Sequence, residues 1–129
     1  MMVPLLIFAA SAEMQALDQA VALCNRAVIN PAFSSESGRR SQFLLDTYQE
    51  QEAIVASRLA LTERRRLLRE ASGKKNAEEE RAIALEEALI EDRQRALNDK
   101  RMLEGLRRDT MDAMRRHYLA HCPSGKNKD

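Results

Sequence analysis

Large aliphatic residues recur at every seventh position on both sides of a short link at residues 72–75. The series before the link is Ile54, Leu61 and Leu68, and the series after it is Ile83, Ile90 and Leu97. A seven-residue apolar repeat places its members on one face of a helix. Because the link is so short, the two helices are expected to be antiparallel neighbours. Leu68 then faces Ile83, Leu61 faces Ile90 and Ile54 faces Leu97. We call these six residues the seam.

The seam predicts an all-α fold. We expect a long antiparallel two-helix hairpin, similar to a coiled coil, with helices over about 37–72 and 76–122, and a short N-terminal helix over about 12–29. Gly73 is expected to end the first long helix, and Asn76 with Glu79 resembles a capping box for the second. The dipeptide Asn30-Pro31 is expected to open a loop over residues 30–38. No segment alternates with period two, so no sheet is predicted.

Polar residues agree with this register. One heptad below Ile54 and Leu97, Thr47 is expected to face a half-buried Glu104, as a polar layer that fixes the pairing. Charges of opposite sign also face each other across the hairpin. Near the link, Arg64, Arg65, Arg66 and Arg69 are expected to face Glu79, Glu80, Glu86 and Glu87. Further from it, Glu50 and Glu52 are expected to lie level with Lys100 and Arg101.

The first twelve residues, MMVPLLIFAASA, resemble the end of an export signal. A short apolar run precedes the small-x-small sequence Ala10-Ser11-Ala12, although no Lys or Arg precedes the run. We therefore interpret residues 1–12 as a cleaved or truncated signal peptide and residues 13–129 as a single helical domain. The expected location is periplasmic or secreted. If residues 1–12 are instead an apolar helix extension, the expected location is cytoplasmic.

Two cysteines follow residue 12, and an even number in a small exported chain favours a disulfide. A bridge requires Cα atoms within about 7 Å of each other. If the N-terminal helix continues in line with the first long helix, Cys24 lies about 7.5 Å from the level of Cys122. If it folds back, the separation is about 20 Å. We predict a Cys24–Cys122 disulfide in the in-line arrangement, with two buried thiols as the alternative.

His117 and His121 are the candidate metal ligands, since residues four apart share one face of a helix. No carboxylate completes a zinc-binding motif, and a third ligand would have to be Cys24 or Asp112. We therefore interpret the pair as solvated side chains at the negative end of a helix, and predict no metal and no cofactor. The sequence has no Gly-rich phosphate loop and no nucleophile elbow, so no enzymatic activity is predicted.

The charge balance also limits the partners. The chain has 21 Lys and Arg against 20 Asp and Glu, a net charge of +1, which argues against nonspecific nucleic-acid binding. Residues 107–129 hold an excess of basic residues. Contact of this C-terminal end with anionic lipid headgroups is one interpretation. A solvated helix end is the simpler one, and we favour it.

More apolar residues are present than one seam can bury. The candidate partner surface consists of Leu44, Leu45, Val55, Leu59, Leu103 and Leu106. Such a surplus predicts cover by another protein or by a second copy, most simply as a homodimer that forms a four-helix bundle. We expect an exported interaction or scaffolding module. The alternatives are a periplasmic holdase chaperone with helical arms, and a cytosolic coiled-coil hairpin with an unknown partner.

Overall fold

A computed structural model of the chain describes residues 3–71 and 76–123, and its side chains from residue 12 onwards within those ranges. Three helices cover nearly all of them: α1 spans Val3–Ala22, α2 spans Arg26–Glu70 and α3 spans Ala77–His121. Within the described ranges there is no strand, and the predicted all-α fold with two long helices and a shorter N-terminal one is confirmed. Gly73 and the rest of the link lie outside the described residues.

The chain divides into two compact units. The hairpin unit is Gln42–Glu104, and it contains parts of α2 and α3. The disulfide unit is Met1–Ser41 with Gly105–Asp129, and it contains α1 and the outer parts of the two long helices. The helix α1 runs without interruption through position 12. The division between a signal peptide at residues 1–12 and a domain at 13–129 stays a prediction.

The core of the hairpin unit is the predicted seam. Five of its six members form one buried cluster, and Leu68 packs against them partly buried. Ile54 is completely buried and Leu97 is 2% exposed. At the start of α3, the Asn76 side-chain oxygen accepts a hydrogen bond from the Glu79 backbone N–H at 3.1 Å, which confirms the predicted helix cap. The heptad pattern therefore gave the correct faces of both helices.

Polar layers separate the aliphatic ones. The side-chain amides of Gln51 and Gln94 donate to each other's oxygens across the hairpin, at 2.9 and 3.1 Å. Thr47 is buried, and its hydroxyl donates to the Phe43 carbonyl at 2.9 Å. Glu104 is half-buried, as expected. The hairpin unit therefore has one thin apolar layer per heptad, with hydrogen-bonded polar groups between the layers.

Ion pairs along the flanks agree with the predicted register near the link. Arg64 pairs with Glu79 at 2.8 Å and with Glu86 at 2.6 Å, and Arg65 pairs with Glu87. Arg66 does not follow the prediction, because it pairs with Glu63 and Glu70 of its own helix. At the other end, Glu50 pairs with Arg93 at 2.9 Å, and the level position of Glu50 and Glu52 with Lys100 and Arg101 stays a prediction. Arg93 is eight residues, about two helical turns, from the position predicted to be level with Glu50, so level position alone does not select the ion-pair partner. Because these side chains are exposed to water, each pair contributes little to the stability of the fold.

The turn between α1 and α2 lies at residues 23–25, so the predicted helix end at residue 29 and the predicted loop at 30–38 are wrong. The backbone N–H of Cys24 donates to the Val21 carbonyl at 3.1 Å, and that of Asn25 donates to the Ala20 carbonyl at 2.9 Å. These two bonds form a Schellman motif. Cys24 takes the left-handed position of the motif, with φ 54°, where glycine is usual. The carbonyl of Asn25 then accepts the first backbone bonds of α2.

Pro31 lies inside α2 and does not end a helix. It is in the second turn, and its missing N–H removes one backbone hydrogen bond, to the Ala27 carbonyl. The hydroxyls of Ser34 and Ser35 donate to the carbonyls of Pro31 and Ala32 at 3.2 and 3.1 Å. The Ala27 carbonyl is not an acceptor of either bond, so these contacts satisfy the serine hydroxyls within the helix and do not replace the bond lost at Pro31. The helix nevertheless continues through the segment that composition assigned to a loop.

The disulfide unit is a three-helix arrangement. Leu17, Ala20 and Val21 of α1, Ile29 of α2 and Met111 of α3 form its buried cluster. Arg107 of α3 contacts both Glu13 of α1 and Glu36 of α2, at 2.9 and 2.8 Å, so α1 runs antiparallel to α2. The in-line arrangement is therefore wrong.

The predicted Cys24–Cys122 disulfide is nevertheless present, with the Cα atoms 5.6 Å apart. The estimate of about 20 Å for a folded-back helix assumed a turn at residues 30–38. Because the actual turn contains Cys24 itself, folding back brings this residue to the end of α3. Cys122 also contacts the turn directly, with its sulfur 3.6 Å from the Val21 carbonyl oxygen.

Candidate functional site

An exposed stripe of large apolar side chains follows α2 through the hairpin unit. Leu45, Tyr48, Val55 and Leu59 are 49%, 61%, 45% and 66% exposed. Spacings of three, seven and four residues place them on one face of the helix. Glu52 occupies the remaining position of this repeat. The stripe therefore has the periodicity of a helix-packing surface, on a face of α2 other than the buried seam. We call these four apolar residues the leucine stripe.

The other predicted partner residues are exposed as well. In the hairpin unit, Leu44 is 68% exposed and Leu103 on α3 is 49% exposed. Leu106 is 59% exposed and belongs to the disulfide unit, and the grouping of the six candidates into one partner surface stays a prediction. Sequence reasoning missed Tyr48 and Met102, both 61% exposed. The repeat that starts at Leu45 would have identified Tyr48.

A hydrogen bond to Glu52 raises the pKa of Tyr48 above its usual value of 10.0. This contact accounts for the polar position within the leucine stripe, because the phenol gives the carboxylate a donor on the same face of α2. Tyrosine combines a large apolar ring with a polar tip and is enriched in protein interfaces. The stripe therefore carries the residue types that helix–helix interfaces use.

A groove crosses the hairpin unit beside the Thr47 layer, with a volume of about 510 Å³. Its lining is Phe43, Asp46, Thr47, Glu50, Arg93, Ala96, Leu97 and Lys100. Two acids and two bases of this set balance in charge, and Glu50 and Arg93 already pair with each other. The hydroxyl in this lining is that of Thr47, and it donates to the Phe43 carbonyl at 2.9 Å and not to a neighbouring base. The prediction that the chain is not an enzyme stays a prediction.

A buried carboxylate organises the charges of the disulfide unit. Glu36 is 7% exposed, and it accepts hydrogen bonds from Arg39, Arg40 and Arg107 at 2.8–3.2 Å. Burial raises the pKa of Glu36, but the hydrogen bonds from the three arginines outweigh it and hold the pKa at about 2. Arg40 also donates to Asp112 at 2.9 Å. Three arginines that look like a basic patch in the sequence are therefore engaged in a folded charge network.

The two histidines are neighbours at the end of α3. The ring centroids of His117 and His121 lie 4.3 Å apart, and both side chains are exposed. The proposed third metal ligands are occupied elsewhere, since Cys24 is bonded to Cys122 and Asp112 accepts from Arg40. Over residues 12–71 and 76–123, no group of three or more His, Cys, Asp and Glu side chains is placed to hold a metal ion.

Comparison with known proteins identifies no relative: no protein-family model, no curated protein and no solved structure matches the chain. Among the described residues, no helix combines the length and the apolarity that a membrane span requires. The surfaces of the two units are therefore the features of this chain that bear on its function.

Proposed function

We propose that this protein is a non-enzymatic interaction module, and that the leucine stripe of its hairpin unit binds a helical partner. The preferred partner is a second copy of the chain, in a four-helix bundle formed by two hairpin units. The single observation that carries the proposal is the contrast between the thin seam and the exposed stripe. Five side chains are buried between the two helices, while the stripe leaves four large apolar side chains exposed to water.

The spacing of the stripe favours a helix as the partner. Apolar residues three, four and seven apart interlock with the same pattern on another helix. In a two-fold symmetric dimer, the same surface of each chain forms one half of the interface. The stripe of one chain then packs against the stripe of the other. Burial of a leucine side chain contributes up to about 2 kcal/mol. A contiguous row of exposed apolar side chains therefore indicates an interaction surface more strongly than scattered ones do.

The proposed location is the periplasm or the exterior of the cell. The Cys24–Cys122 disulfide supports it, because disulfides persist in oxidising compartments and are rare in the cytosol. Both cysteines of the chain are in this bridge, so the folded protein has no free thiol.

The test is the mass of the full chain in solution at high micromolar concentration, by light scattering coupled to size-exclusion chromatography. We expect the wild type to have twice the chain mass of 14.7 kDa. A Leu45→Lys, Leu59→Lys variant is expected to have the mass of one chain, because two buried charges replace two apolar contacts. Lysine keeps helix propensity close to that of leucine, so the fold is retained.

The matched control is a Leu23→Lys, Leu119→Lys variant in the disulfide unit. These leucines are 79% and 68% exposed and do not belong to the stripe. This variant is expected to remain a dimer. A wild type with the mass of a single chain contradicts self-association, and loss of the dimer in the control would show that the stripe is not its specific site. Circular dichroism checks that all variants keep their helix content.

A further inference from the structure

We propose that His117 and His121 form a two-histidine chelate for a borderline divalent transition metal, with Cu²⁺ bound most tightly. The site lies in the disulfide unit. It does not depend on the leucine stripe, so this proposal and the proposed function stand or fall separately.

The geometry of the pair is the first reason. The two residues are four apart in α3, which places both imidazoles on one face of the helix one turn apart. Their ring centroids are 4.3 Å apart, and both rings are open to solvent. A metal ion bonds to imidazole nitrogen at about 2.0–2.1 Å, so one ion reaches both rings after small side-chain rotations. These are the only two histidines in the sequence.

The position at the end of α3 is the second reason. The last turn of a helix exposes carbonyl groups at the negative end of the helix dipole, which favours a bound cation. Arg115 and Arg116 act in the opposite direction, since their charges lie within one turn of His117. The helix end and the two arginines therefore act in opposite directions, and the chelate geometry is the main source of the proposed affinity.

The available ligands select the class of metal. The two cysteines are joined in the disulfide, and Asp112 accepts a hydrogen bond from Arg40. The protein therefore supplies two imidazole nitrogens, and water completes the coordination. Imidazole binds copper, zinc and nickel, and affinity for a given nitrogen site is highest for Cu²⁺. A site with two protein ligands exchanges its metal readily, unlike the closed four-ligand sites that hold a structural zinc.

The experiment is a titration of the full, oxidised chain with Cu²⁺ and, separately, with Zn²⁺, followed by isothermal calorimetry. The matched control is a Leu119→His, His121→Gln variant. It keeps two histidines but places them two apart, where side chains do not face each other. Because the control has the same terminal amine and the same number of imidazoles, only the spacing differs.

We expect the wild type to bind one Cu²⁺ per chain, at least tenfold more tightly than the spacing variant. His117→Gln and His121→Gln are each expected to lose the same factor, because either one leaves a single imidazole. Zn²⁺ is expected to bind more weakly than Cu²⁺ in the wild type, and the electron paramagnetic resonance spectrum of the copper form is expected to show two equivalent nitrogens. Equal copper affinity in the wild type and the spacing variant overturns the proposal.

Discussion

The two units of this chain bury their apolar residues in different ways. In the disulfide unit, three helices surround a core that Phe33 and Tyr118 extend, with ring centroids 6.1 Å apart. In the hairpin unit, two helices bury one aliphatic layer per heptad and hydrogen-bond polar groups between the layers. A third helix and a covalent bridge complete the first unit. The second unit keeps exposed apolar side chains in a row with helical spacing, and this row is the surface that we propose a partner covers.

The largest effect on stability is expected from removal of the disulfide, which tests whether the bridge stabilises the disulfide unit more than the hairpin unit. A Cys24→Ala, Cys122→Ala variant is expected to lose about 4 kcal/mol in the free energy of unfolding, because the disulfide closes a loop with a sequence separation of 98. Urea denaturation followed by circular dichroism measures the loss. In this variant, the backbone amides of the disulfide unit are expected to exchange with solvent faster than those of the hairpin unit.

A second cysteine variant isolates the contribution of the turn. In Cys24→Gly, Cys122→Ala, glycine adopts the left-handed conformation of residue 24 at little cost. This variant is expected to be more stable than the alanine pair by about 1 kcal/mol. Equal stability of the glycine and alanine variants would contradict the left-handed conformation of residue 24. Equal loss of protection from hydrogen exchange in both units would contradict the expected difference between the units.

Alanine substitution of one buried isoleucine in each unit compares the stability of the two cores directly. Ile29 in the disulfide unit and Ile54 in the hairpin unit are both completely buried. We expect Ile29→Ala to cost about 4 kcal/mol and Ile54→Ala about 2–3 kcal/mol, because two helices can close around a lost side chain more easily than three. Chemical denaturation at low micromolar concentration measures both.

Val28, which is 45% exposed, provides the control for Ile29, and Leu89, which is 54% exposed and lies outside the leucine stripe, provides the control for the hairpin unit. Their alanine variants are expected to change the free energy of unfolding by about 0.5 kcal/mol or less. A larger loss at Ile54 than at Ile29 would reverse the comparison of the two cores.

A pH-dependent effect is expected for the charge network of the disulfide unit. Glu36→Gln is expected to cost about 2 kcal/mol at neutral pH, since it removes the charge that three arginines hydrogen-bond. The folded-state pKa of Glu36, about 2, is below its usual value of 4.5. The stabilisation is therefore fully present above pH 4.5 and is lost as the pH falls towards 2. The free energies of wild type and variant are expected to converge between pH 5 and pH 2, and a constant difference would contradict this role.

The hairpin unit was predictable from the sequence because its determinants are local and periodic. The seven-residue repeats and the four-residue link fix the faces of both helices and their antiparallel order. Asn76 marks the start of α3 in the same way. The position of the disulfide followed from cysteine number and compartment, although the helix arrangement assumed for it was wrong.

The boundary between α1 and α2 was not predictable by the same rules. The residue that ends α1 with a left-handed conformation is Cys24, whereas the usual signal is glycine or asparagine. Pro31 gave a false signal for a helix end, because the proline removes only one backbone hydrogen bond and the neighbouring Ile29 is completely buried in the core. The charge network was hidden for a different reason: Glu36 meets Arg107 only after three helices assemble.

The Cys24–Cys122 bond also changes what a protease can do to this protein. A cut anywhere between these two residues, including the link at residues 72–75, leaves both fragments joined by one covalent bond. Such a nicked molecule keeps its mass until a reductant is added. The chain is thus protected from losing a fragment after a single cleavage over most of its length.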